Sequence, residues 1–362
     1  MYLRYSVLAL LVLLPVLATA QDITPKYSNE FLSIGVGARA LGMSGAQTAN
    51  VAGVTSGYWN PAGLLRVEAD HSIALMHAEY FAGIAKYDYA AYSTAIDSTS
   101  SLGISLIRFG IDNIPDTRFL YDANGTLNYD NIRFFSAADY ALFLSYARHI
   151  RQVPGLRAGA SAKIVHRNVG KFANAWGFGL DAGLQWQRKG WQLGLMLRDI
   201  TTTFNAWSIN TELLEDVYAQ TGNEVPESSL EITLPKAILG VAHTFRIKEN
   251  FTVLAAADLV TTFDGTRNVL WKADPVSVDP QGGLELAYKE IIWLRGGIGQ
   301  FQQVTELNAE RSKKTIMQPT AGIGVRLGNF RIDYALTDVG DASDAPYSHV
   351  FSLTLNFNKK ND

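Results

Sequence analysis

From Asp70 to the C-terminus the chain repeats one pattern: segments of about 9–12 residues, alternating apolar and small or polar, separated by turns. Fourteen such segments can be marked, at 71–79, 86–96, 101–110, 138–149, 155–167, 175–188, 190–199, 236–246, 251–260, 282–289, 291–299, 318–327, 329–337 and 348–357. A period of two reads as strand. The length is what a tilted strand needs to cross a bilayer. In 175–188, Trp176, Phe178, Leu180, Ala182, Leu184 and Trp186 share one face, opposite Gly177, Gly179, Asp181, Gly183, Gln185 and Gln187. In 190–199, Trp191, Leu193, Leu195 and Leu197 oppose Gln192, Gly194, Met196 and Arg198. In 329–337, Phe330, Ile332, Tyr334 and Leu336 oppose Arg331, Asp333, Ala335 and Thr337. A soluble sandwich turns its large apolar residues inward. Here the second face is Gly, Ala or Ser with an occasional charge, which suits a crowded polar lumen.

The connections are sorted by length. Those at Asp97–Ser100, Ile150–Pro154, Lys189, Ile247–Asn250, Glu290 and Gly328 are tight, whereas 111–137, 200–235, 261–281 and 300–317 are long. Outer-membrane barrels have turns at one end and loops at the other. The expected fold is therefore all-β: a 14-stranded antiparallel transmembrane β-barrel over 70–358, with a short tail at 359–362 and both termini on the periplasmic side. Trp176, Trp186, Trp191 and Trp293 lie near strand ends, where an interface girdle would put them, although each could be a core Trp. Glu212 to Gln220 reads as a short amphipathic helix within a loop.

The first residues carry a secretory leader pattern: Arg4, an apolar run Val7–Leu17, and Ala18-Thr19-Ala20 as the cleavage site. The run is too short to span a membrane as a helix. The chain has 362 residues and no cysteine, which excludes disulfides, thiolate metal sites and cysteine catalysis. A net charge of -3 gives no basic footprint for nucleic acid.

Between leader and strands lies Phe31–Leu65, dense in Gly and Ala, with one cation, Arg39, and ending in Tyr58-Trp59-Asn60-Pro61-Ala62-Gly63. Such a stretch can lie close against other backbone but cannot build a core of its own. We read residues 21–69 as a plug inside the barrel, with Arg39, Trp59, Asn60, Pro61 and Ala62 as its key residues. Pro61 biases Asn60 towards an extended or turn conformation, and the Asn side chain can cap neighbouring backbone. Arg39 is expected to pair with an inward acid such as Asp181 or Asp333. Inward charges, namely Arg157, Lys163, Asp181, Arg198, Arg295, Arg326, Arg331 and Asp333, are expected to pair with one another and with the plug, because an unpaired charge in a narrow lumen is costly.

No enzyme is indicated. Gly35-x-Gly37-x-x-Ala40 lacks the strand and the βαβ unit of a dinucleotide site. No Ser/His/Asp arrangement stands out. The six His residues are dispersed, and no metal or cofactor is expected. Acidic clusters occur in loops at Asp112/Asp116, Asp274/Asp279 and Asp338/Asp341/Asp344; the last could hold Ca²⁺ weakly, but a solvated loop is the preferred reading. The apolar loop residues Phe204, Trp207, Phe263, Val269, Leu270 and Trp271 mark a docking surface for a protein or a lipid.

Phe31-Leu-Ser-Ile-Gly-Val-Gly-Ala-Arg-Ala-Leu-Gly-Met-Ser-Gly-Ala46 with Tyr58-Trp-Asn-Pro-Ala-Gly-Leu64 resembles the opening of the PorV/PorQ family of Bacteroidetes outer-membrane proteins. These belong to the FadL-like group of barrels with an N-terminal hatch. Ser44 stands where that family usually has Gly, and Asn50-Val-Ala-Gly-Val replaces an acidic stretch. The resemblance implies a PorV-like role in type IX secretion, with the translocon barrel and secreted cargo as partners beside membrane lipid. The wider group implies an alternative, transport of long-chain fatty acids or other hydrophobic compounds.

Overall fold

The computed structural model describes residues 28–358 except 68, 123, 216–217, 220–221, 223, 225–228, 306–312, 338 and 340–347. The leader, the C-terminal tail and the Asp338/Asp341/Asp344 cluster lie outside the described residues. Sixteen strand segments follow in order: β1 His71–Tyr80, β2 Ala85–Asp97, β3 Ser100–Asp116, β4 Arg133–His149, β5 Leu156–Val169, β6 Ala173–Arg188, β7 Trp191–Arg198, β8 Thr203–Ile209, β9 Leu230–Thr233, β10 Lys236–Lys248, β11 Phe251–Thr262, β12 Ser277–Tyr288, β13 Ile292–Thr305, β14 Lys313–Leu327, β15 Phe330–Thr337 and β16 Ser348–Phe357.

These make fourteen staves. Neighbours pair antiparallel around the ring, β1 pairs with β16, and β5 with β6 completes it. The two extra segments are continuations. Arg198 pairs with Lys236, then the chain breaks at 199–202 and resumes as β8, whose Thr203 pairs with Thr233 of β9. Leu234-Pro235 is the matching break on the other side; Pro235 has no N–H to give to a ladder. So β7/β8 form one interrupted stave and β9/β10 the next. Phe204 and Trp207, expected in a loop, therefore belong to the wall. The alternating pattern extends further than the sequence segments: β3, β4, β12, β13 and β14 all run past them at the loop end.

The alternation has the expected sense. Along β6, Trp176, Phe178, Leu180 and Leu184 point outward and stay exposed, while Asp181 and Gln185 face in and are buried. Trp176 and Trp191 are exposed on the outer surface. Trp293 is not a girdle residue: it is buried on the inner face, with the Arg331 guanidinium 4.3 Å from its ring centre. Over 212–220 the described residues form a 3-10 turn, Thr211–Leu213, and are helical at 215, 218 and 219, with Tyr218 N donating to Leu214 O at 3.0 Å.

Residues 28–67 lie inside the ring. They form short turns of helix, Glu30–Ser33, Ala38–Leu41, Ser56–Trp59 and Pro61–Arg66, each too short to stand alone. Their order comes from the wall instead. Gly37 N donates to Met76 Sδ on β1, Ala38 N to Ser352 Oγ on β16, Ser44 N to Thr320 Oγ1 on β14, and Gln47 and Thr48 N to one oxygen of Asp258 on β11. On the opposite side, Ser161 of β5 donates to Gly57 O and Gln185 of β6 to Thr48 O and Val51 O.

Candidate functional site: the seat of the N-terminal segment and the cavities on either side

Asn60 is fully buried and extended, with φ -162° and ψ 107°. Pro61 begins the 3-10 turn, where its missing N–H costs nothing. Asn60 Oδ1 accepts Ala62 N at 3.2 Å. Its Nδ2 donates to Thr48 O at 2.9 Å, Leu184 O of β6 at 3.0 Å and Leu195 O of β7 at 3.3 Å. One side chain thus ties two parts of the segment to two strands. The approach requires glycine on the wall: a Cβ at Gly183 would collide with Asn60 Oδ1, and one at Gly159 with the backbone of Pro61-Ala62. Trp59 Nε1 donates to Val36 O at 2.8 Å, and Tyr58 OH to Leu32 O at 2.6 Å, closing the segment on itself.

Arg39 finds its acid on β12. Its Nε and Nη2 reach the two oxygens of Glu285 at 2.9 and 3.0 Å, and its Nη1 reaches Gln47 Oε1 at 2.9 Å. Burial opposes the charge, but the Glu285 carboxylate outweighs it and holds the guanidinium pKa above its ordinary value. The expected partners, Asp181 and Asp333, are already taken. Asp333 faces Arg295 at 2.8 Å and Arg331 at 3.0 Å, and Arg295 Nε also donates to Glu285 at 2.6 Å. Asp181 holds Lys163 at 2.8 Å and accepts Asp199 N; Asp199, at the break after β7, closes on Lys163 and Thr203. Glu285 escaped the sequence reading, yet Leu284 and Leu286 point outward on either side of it, which fixes it inward.

The other inward charges fall in separate places. Arg198 donates to Leu32 O and Tyr58 O, both at 3.2 Å, and lies 4.4 Å from the Tyr58 ring centre. Arg157 sits at the turn end and donates to Gln187 Oε1. Arg326 lines the turn-side cavity described below. Among the apolar candidates, Phe204 points outward beside Phe178, whereas Trp207 is half-buried, with Nε1 2.6 Å from Glu231 Oε2. Phe263 and Trp271 are exposed at the loop end. Asp112 pairs with Lys86, and Asp116 with Arg118. No group of metal-ligating side chains occurs among the described residues.

Two cavities flank the segment. The loop-side one, about 620 Å³, has Leu41, Gly45, Tyr58 and Trp59 as its floor. Its walls carry Ile238 and Val260 beside Gln281, Gln318, Lys236 and Arg267. Arg267 is held by Asp264 and by Glu30 at 3.3 Å, and the bonds to Asp264 keep that carboxyl below the usual carboxylate range against the effect of its burial. The turn-side cavity, about 550 Å³, has Val36, Ala38 and Arg39 as its ceiling and Met76, Leu254, Gln192 and Arg331 on its walls.

The closed ring has counterparts of similar fold among solved structures. CymD, a monoaromatic hydrocarbon channel, shares 13% identity with a TM-score of 0.55, over 90% of this chain and 98% of that one. The Pseudomonas putida toluene transporter TodX shares 14%, TM-score 0.55, over 89% and 98%. A Pseudomonas aeruginosa FadL homologue shares 12%, TM-score 0.52, over 89% and 98%. The fold is that of FadL-like outer-membrane channels. At these identities the likeness is one of fold. No family model matches the chain, and no curated protein does.

Proposed function

We propose that this FadL-like barrel admits small hydrophobic or amphipathic compounds across the outer membrane, past residues 28–67 acting as a hatch. The observation that carries the reading is the pair of cavities meeting opposite faces of one segment, with Trp59 and Leu41 under the loops and Val36 and Arg39 on the turn side. Each has the volume of a small-molecule site. The interruption at 199–202, beside the loop-side cavity residue Arg198, puts a weak place in the wall at the height of the hatch. The neighbours of the same fold include a toluene transporter and a monoaromatic hydrocarbon channel by name.

The test is flux with the hatch free and with it pinned. The chain has no cysteine, so Ala38→Cys with Ser352→Cys would give one engineered cross-link, at a site where Ala38 N lies 2.7 Å from Ser352 Oγ. Uptake of toluene or decanoate by proteoliposomes should fall when the pair is oxidised and recover on reduction. Equal uptake in both states, or none in either, overturns the reading.

A second reading, a PorV-like component of type IX secretion, is supported by the likeness of residues 31–65 and by exposed Phe263 and Trp271 at the loop end. It requires capture of a translocon barrel or of secreted cargo from native outer membrane, with capture lost in a Phe263→Ser, Trp271→Ser variant that still folds.

A further inference from the structure

Among the described residues, the turn-side cavity carries more positive charge than its acids balance. Arg39, Arg66 and Arg331 line it, Arg295 is packed behind them, and Glu285 and Asp333 are the acids that meet them. Arg326 and Glu290 add one charge of each sign at the rim. Among the described residues, the inner group therefore sets four guanidiniums against two carboxylates.

Among the described residues, Arg66 is the member of this group with no acid beside it. Both of its hydrogen bonds run through Nη1, to Asn50 O at 3.2 Å and Gln192 Oε1 at 2.9 Å. No carboxylate stands within ion-pair distance of it among the described residues. Its Nε and Nη2 make no hydrogen bond to the described residues, and the side chain lines the cavity. Burial, with Arg157 and Arg39 close by, pushes its pKa down to about 10, so it remains a cation at neutral pH. Buried charge without a counter-charge is expensive, and a guanidinium fork fits an oxyanion in two parallel bonds. Apolar Val36, Ala74, Met76 and Leu254 line the same space.

We propose that the turn-side cavity is an oxyanion-binding site centred on Arg66, with Arg39 and Arg331 lining the same space beside an apolar wall. The ligand class is a carboxylate or phosphate group, either as a free anion or as the head of an amphiphile. This rests on the transport reading only for the amphiphile as source; the site itself needs no flux.

Calorimetric titration of the full chain in a neutral maltoside detergent tests it, with inorganic phosphate, acetate and decanoate as probes. Saturable binding that weakens with added salt is expected, and Arg66→Gln should weaken it at least tenfold. Arg66→Lys keeps the charge but loses the fork, so it should fall between the two, which covers failure of the Gln variant to fold. Arg188→Gln, the same charge change at an exposed site, should leave affinity unchanged. Decanoate tenfold or more tighter than acetate identifies an amphiphile head; similar affinities identify a free anion. No saturable binding, or binding indifferent to Arg66, overturns the proposal. So does a several-fold gain in Glu68→Gln, which would mean that a carboxylate of this chain already occupies the place given to the ligand. Binding that survives while toluene uptake fails leaves this site standing and removes the transport reading.

Discussion

Arg39 Nε lies 2.9 Å from Glu285 Oε2, and Nη2 lies 3.0 Å from Oε1, so a cation of the N-terminal segment is clasped bidentately by the wall of the barrel. The pair is the meeting point of the hatch with the Arg295–Asp333–Arg331 network. Removing one member leaves a charge stranded in the lumen.

Arg39→Ala should therefore cost the seating of the segment about 3–5 kcal/mol, the usual penalty for breaking a buried pair from one side. Replacing both partners, as Arg39→Met with Glu285→Leu, should cost less than the sum of the singles. Small-solute leakage of proteoliposomes and the heat-dependent gel mobility of the barrel separate the two effects. Leakage should rise in the single variant while mobility stays that of a folded barrel. Unchanged leakage would count against the clasp.

Asn60 makes a sharper demand than charge does. Its Nδ2 serves three carbonyls and its Oδ1 one amide. Asn60→Ala strands these groups, at about 1–3 kcal/mol for each that water cannot reach. Asn60→Asp should be worse than Ala, because an acceptor would then face Thr48 O, Leu184 O and Leu195 O. Hydrogen exchange of residues 45–65 should accelerate in that order. If Asp were tolerated better than Ala, the orientation given to the amide would be reversed.

The wall was legible because a strand in a membrane must alternate, and Trp176 to Trp186 or Trp191 to Leu197 leave one solution for what faces lipid. The closing of fourteen staves followed from the sorted turns. The break at 199–202 was not legible: Asp199 takes a positive φ of 56° and Thr202 of 54°; Asp tolerates that region without marking it in a sequence, and a β-branched Thr rarely adopts it. Phe204 and Trp207 were consequently assigned to a loop. The residues of the seat could be named from their composition, but not their partners. Which acid meets Arg39 depends on how the segment sits across the lumen, a relation between residues some 246 apart in the chain, and local pattern carries no information about it. Glu285 was nevertheless findable as an inward residue from its leucine neighbours.

Glycine on the inner wall is a steric requirement at chosen positions. A Cβ at Gly183 meets Asn60, whereas one at Gly296, on the exposed face of β13, finds only Thr320 O at 3.9 Å. Gly183→Ala should destabilise the seat by about 1–3 kcal/mol, the cost of overpacking, and Gly296→Ala by much less. Protease cutting within residues 28–67, scored against an intact barrel, reports the difference. Equal cutting in the two variants would show that the segment can shift without loss.

Lys163 holds two carboxylates, Asp181 and Asp199, at the break between β7 and β8, and all three side chains are buried. Lys163→Met leaves two unpaired carboxylates side by side, with Asp199 no longer anchored to the wall. Exchange at 199–203 should rise at least tenfold, while that of β12 to β15 stays put. Adding Asp199→Asn to the variant removes one of the two charges and should recover part of the protection. If the double change is no better than the single one, the break is set by its backbone conformation and the lysine is not what pins it.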